Sequence, residues 1–280
     1  MDTLVTTEWL AAQLGGEDLV VLDASAHLPA AGREAEAEFA QAHIPGARFL
    51  SLKTLTDEDS PVPSAVPTRE RLEERLGALG VSKDARIVLY DDSDIKSAAR
   101  AWHVFRLHGV AASVLNGGLA KWRDEKRPLE SGGGRNTATS FRSQGGTGTI
   151  RTKADMLANI DSRAEQVVDA RGAARFRGEE GDFRDGVASG HIPGSRNLPF
   201  TGVLNDDGTF KDAAGIRAAF AEAGVDLDRP IVATCGSGVT ASVLLLALHL
   251  IGKGDAALYD GSWSEWGADP ALPVATGPAA

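Results

Sequence analysis

Three stretches of this chain occur twice, in the same order and at nearly the same spacing. FAQAHIPGARFLSL (39–52) returns as VASGHIPGSRNLPF (187–200), ARIVLYDD (85–92) as RPIVATCG (229–236), and NGGLAKW (116–122) as DGSWSEW (260–266). The offsets are 148, 144 and 144 residues, and Asp91 to Trp122 and Cys235 to Trp266 both span 31 residues. Collinear matches of this kind mark a tandem duplication, so whatever one half folds into, the other must fold into as well. Between the halves lies ESGGGRNTATSFRSQGGTGT (130–149), rich in Gly, Ser and Thr and without apolar periodicity. It reads as a linker, which places domains at 1–129 and 150–280.

Each half alternates short apolar runs with helical patterns. In the second, QVVDAR (166–171), RNLPF (196–200), PIVATC (230–235) and AALYDG (256–261) read as strands. Residues 212–224, with Ile216 and Phe220 on one face, and 239–252 read as helices. Strands and helices in alternation predict an α/β fold: in each domain a doubly wound, mainly parallel sheet with helices on both faces. Trp122 and Trp266, which match one another, are expected in the cores.

Cys235 is the only cysteine, which excludes an intrachain disulfide and a cysteine-based zinc cluster. It ends an apolar strand and precedes GSG and a helix, where ligands bind in parallel sheets. A buried, inert thiol is the common fate of a lone cysteine. Here the glycine-bearing turn and the positive end of the following helix favour a thiolate nucleophile instead. A phosphatase would need arginine six residues on, where Ala241 stands, and a redox pair would need a second thiol. What remains is a thiolate acting alone, cradled by backbone amides. With a formal charge of −10 and a pI near 5.1, nucleic acid and anionic membrane surfaces are not expected partners. The opening segment lacks the basic start of a secretory signal, and the apolar run 243–251 is too short to span a bilayer. A reducing compartment, in a bacterium the cytoplasm, is expected.

The paired HIPG segments, the loop CGSGVTA and the closing AALYDGSWSEW resemble the rhodanese superfamily of sulfurtransferases over nearly the whole chain. The resemblance implies two tandem rhodanese-like domains, the first non-catalytic because Asp91 stands where the second has Cys235. It implies that Cys235 takes a sulfur atom as a persulfide and passes it to cyanide or to a thiol such as thioredoxin, with no metal or organic cofactor. The loop is most similar to that of the members using 3-mercaptopyruvate; members specific for thiosulfate place cations after the cysteine. The amides of Gly236, Gly238, Val239 and Thr240 would then hold the anionic sulfur, as an oxyanion hole holds an alkoxide. By the same pattern Arg175 and Arg184, in ARFRGEEGDFRDG (174–186), bind the substrate carboxylate, and Arg177 is a lesser contributor. A relay of Ser237, His43 and an acid is also implied. That acid falls on Glu34, where the family more usually has aspartate. Thiosulfate transfer and a sulfur-carrier role without turnover are the competing expectations.

Overall fold

The computed structural model of the protein describes residues 1–134 and 136–279. Arg135, inside the expected linker, and Ala280, at the end of the expected second domain, lie outside the described residues. Two compact units form: residues 1–57, 66–147 and 206–210 make the first, and 58–65, 148–205 and 211 onward the second.

The first unit contains a sheet of five strands: β1 (Leu4–Val5), β2 (Leu19–Asp23), β3 (Arg48–Phe49), β4 (Arg86–Tyr90) and β5 (Ser113–Leu115). The second repeats it with β6 (Thr149–Arg151), β7 (Gln166–Asp169), β8 (Arg196–Asn197), β9 (Ile231–Thr234) and β10 (Ala257–Tyr259). Their spatial orders, β1-β5-β4-β2-β3 and β6-β10-β9-β7-β8, are the same, and every strand pairing is parallel. The duplication in sequence is therefore a duplication in topology. In each unit the chain steps outward in one direction and then returns to step in the other. Right-handed crossovers accordingly place helices on both faces.

Boundaries differ from the sequence reading mainly in RNLPF. Only Arg196 and Asn197 form strand β8, because Pro199 has no N–H to give the ladder and a 3-10 turn, Phe200–Val203, follows at once. Helix starts follow the capping residues. Thr152 and Asp155 exchange bonds in a capping box before Lys153–Ser162, and the Asp212 side chain accepts from Gly215 N before Ala213–Glu222. Trp122 and Trp266 are both fully buried, and each donates its indole N–H to a proline carbonyl, Pro128 at 2.8 Å and Pro273 at 2.9 Å. Residues 136–147 carry no helix or strand, but Phe141 is buried, Thr139 N donates to Gly77 O, and Ser143 N to the Glu73 carboxylate. This stretch thus packs on the first unit.

Candidate active site

Thr234, the last residue of β9, lies in register with Asp169, the last of β7. From β7 the chain goes to β8 on one side; from β9 it goes to β10 on the other. The crevice beyond these two strand ends is the topological switch point of the sheet, where parallel α/β units bind ligands. Cys235 is the next residue, and it is buried.

The backbone at Cys235 is fixed from one turn. Its N–H donates to Ser262 Oγ at 3.2 Å, its carbonyl accepts from Trp263 N at 2.9 Å, and the Gly236 carbonyl accepts from Ser264 N at 2.9 Å. Ser262 is fully buried and left-handed (φ 50°), a conformation that costs a non-glycine residue about 1–3 kcal/mol. Its hydroxyl also donates to Tyr259 O, so two bonds hold the strained turn behind the cysteine. Gly238 takes φ 79° and opens the helix Val239–Leu250 with no side chain capping it. The first-turn N–H groups, including those of Val239 and Thr240, have no acceptor within the helix. Gly236 does not take a left-handed conformation; its missing side chain leaves room beside Arg184, whose guanidinium would sit 3.6 Å from a Cβ placed there.

The first unit shows what such a strand end does with a built-in anion. Leu119 N donates to Asp91 O as Trp263 N does to Cys235 O. The Asp91 carboxylate accepts from Ser93 N at 3.2 Å and from Ala98 N at 2.7 Å, so it caps the helix Ala98–Leu107 itself. Burial pushes the Asp91 carboxyl up to about 6, only partly offset by these N–H donors. An acid raised in the folded state favours folding most below its unfolded pKa of about 3.9, and that contribution fades as pH rises through 6. The stability of wild type relative to Asp91→Asn should therefore fall by about 2–3 kcal/mol between pH 4 and pH 7. Urea unfolding at both pH values checks this; parallel pH profiles for the two proteins would refute it.

Arg175, in the short helix Ala173–Arg177 after β7, and Arg184 converge on a single carboxylate that the sequence reading passed over. Arg175 Nη2 bonds Asp182 Oδ2, while Arg184 donates to Oδ1 from Nη1 and from its backbone N–H, each at 3.0 Å. The Asp182 side chain is 1% exposed, and both guanidinium groups lie against the Phe183 ring, 5.2 and 4.3 Å from its centroid. Burial pushes the Asp182 carboxyl up, but the Arg184 N–H and the two arginine charges outweigh it and hold the group below its ordinary value. Arg177 points elsewhere, to an exposed pair with Glu179. Ser237 is half-buried in the loop after Cys235.

His43 and Glu34 belong to the first unit. His43 is buried, stacked on Phe39 at 4.0 Å between centroids, with Nδ1 2.7 Å from Phe39 O. A carbonyl only accepts, so Nδ1 carries the hydrogen of this bond. His191 repeats this in the second unit, stacked on Phe176 with Nδ1 2.8 Å from Phe176 O. Each histidine also forms a two-bond bridge, His43 with Glu130 and His191 with Ala275. Both therefore lock the HIPG turn of their own unit. Glu34 is exposed at the start of the helix Ala35–Gln41, and its side chain makes no capping bond.

The model of the rhodanese-like domain matches residues 6–125 and 152–269, one copy in each half. The chain belongs to the rhodanese family. Among rhodanese relatives, the 3-mercaptopyruvate sulfurtransferase of Homo sapiens is 45% identical over 270 residues, covering 94% of this chain and 91% of the relative. The thiosulfate sulfurtransferase of Cricetulus griseus is 40% identical over 271 residues, with 94% and 91% covered. The crystal structure of the Escherichia coli 3-mercaptopyruvate sulfotransferase SseA superposes with a TM-score of 0.84 at 36% identity, covering 95% of this chain and all of that one. Relatives named for both donors thus lie at similar distances, so the choice between donors has to come from the site. Among the described residues no helix is long and apolar enough to cross a membrane.

Proposed function

We propose that this protein is a sulfurtransferase that takes sulfur from 3-mercaptopyruvate onto Cys235 and releases pyruvate. One observation carries the donor assignment. The cations of the second unit's site stand beside the cysteine loop, on Arg175 and Arg184, while the loop itself, CGSGVTA, is neutral. Thiosulfate bears its charge close to the reacting sulfur and is served by cations in the loop. Mercaptopyruvate bears its charge on a carboxylate several bonds away, which suits a guanidinium fork at the edge.

The reaction follows from these positions. The Cys235 thiolate attacks the donor sulfur, the S–S bond forms, and the carbon–sulfur bond breaks with its electron pair passing to the departing carbon. That carbon takes the proton the donor thiol carried, and pyruvate leaves. The new persulfide anion rests on the helix-start amides, Val239 and Thr240 among them, a position the first unit fills with the Asp91 carboxylate. An acceptor thiolate, as on thioredoxin, or cyanide then bonds the outer sulfur, and Cys235 departs as thiolate. Ser237, in the loop after Cys235, would move the proton to the donor carbon. A reducing compartment such as the cytoplasm keeps both the lone thiol and its acceptor active.

The test is turnover with each donor. Wild type should release pyruvate from 3-mercaptopyruvate with a kcat/KM at least about tenfold above that for sulfite release from thiosulfate, a margin worth one misplaced charge. A preference for thiosulfate would overturn the donor assignment. The absence of turnover with either would favour the sulfur-carrier reading.

A further inference from the structure

Two guanidinium groups and one carboxylate meet beside the Cys235 loop, and their charges sum to one positive. Resting on the sulfurtransferase reading above, we propose that Asp182 is a specificity-determining residue, holding Arg175 and Arg184 in place and setting the donor site at a single positive charge so that it accepts a monoanion over a dianion.

Three features support this. The Asp182 side chain is 1% exposed and spends one oxygen on each arginine, so neither cation is free to swing toward water. Phe183 lies under both guanidinium groups and keeps them on one side of the loop. The backbone N–H of Arg184 also binds Asp182, so the carboxylate fixes the main chain that carries the second arginine. Without it the pair would carry two positive charges, matching thiosulfate better than mercaptopyruvate.

Asp182→Asn in the full-length protein should raise KM for 3-mercaptopyruvate. It should also raise the thiosulfate-to-mercaptopyruvate ratio of kcat/KM about tenfold or more, the scale of one unit charge at a partly exposed site. Asp182→Glu, which keeps the charge, should stay within about threefold of the wild-type ratio. Arg175→Gln leaves no net charge and should move the ratio the opposite way; it decides the matter if the asparagine variant does not fold. Calorimetric binding of pyruvate and of sulfate, unreactive monoanion and dianion probes, gives a readout independent of turnover. A shift toward sulfate in Asp182→Asn upholds the inference even if wild type releases no pyruvate, in which case only the donor reading fails. If Asp182→Asn and Arg175→Gln weaken both donors and both probes in equal proportion, Asp182 is merely structural and the inference is overturned.

Discussion

Cys235→Ser should lower pyruvate release from 3-mercaptopyruvate by about 10⁴-fold or more, the order seen when a nucleophile is deleted. The hydrogen bonds that position this residue among the described residues are made by its backbone, to Ser262 Oγ and Trp263 N, so serine leaves the loop where it is. A serine hydroxyl is not ionised near neutrality, and the described route needs an atom that carries a second sulfur and then leaves. Since the sequence has one cysteine, no neighbouring thiol can substitute. The direct check is the mass of the protein after donor treatment: wild type gains one sulfur atom and the serine variant gains none. Pyruvate binding should survive, because Arg175, Asp182 and Arg184 are untouched. A serine variant that still releases pyruvate at the wild-type rate would place the chemistry elsewhere.

The features that could be read in the sequence are those that repeat or end a pattern. HIPG, the strand end at Asp91 and Cys235, and the Trp122 and Trp266 segments each fix a turn, and turns tolerate few residue types, so both copies kept them. Cys235 was legible because an apolar run stops there and glycines begin. Asp182 was not. It reaches Arg175 across seven residues of irregular chain, and no helical or strand period announces a contact of that kind. In sequence it looks like one more charge in a solvated loop. Ser262 was hidden for a different reason: serine is not the residue that signals a left-handed backbone. Its counterpart Gly118, at φ 61°, carries that signal, and comparing the two copies position by position could have found it. His43 shows the reverse. It was legible as a motif residue, but the structure gives its Nδ1 and one ring face to Phe39, as His191 gives its own to Phe176, so the motif marks a turn that both copies need.

Removing the Asp169 carboxylate should be the most damaging single change to stability, at about 3–5 kcal/mol. Asp169 and Arg171 are both buried, with Nη2–Oδ2 at 2.7 Å and Nε within 3.1 Å of both oxygens. Arg171 also donates to Gly190 O and stacks over Trp263 at 4.5 Å. In Asp169→Ala the guanidinium stays buried without its counter-charge, and desolvation is no longer offset. Because Trp263 N holds the Cys235 carbonyl, the damage should reach kcat as well as the unfolding midpoint. A second change tests the cause. Asp169→Ala combined with Arg171→Met removes the stranded charge and should recover part of the loss, a non-additivity that a double-mutant cycle measures. The first unit supplies an internal control: Asp23 holds the place of Asp169, but Ser25 stands where Arg171 does, and Asp23 accepts from the Ser25 N–H at 2.9 Å and meets the hydroxyls of Ser25 and Tyr90, with no cation among these partners. Burial accordingly pushes the Asp23 carboxyl up. Asp23→Ala strands no cation and should cost less than Asp169→Ala in urea unfolding. Equal losses at the two positions would mean that the aspartate serves the strand end alone, and that the ion pair adds nothing to the second unit.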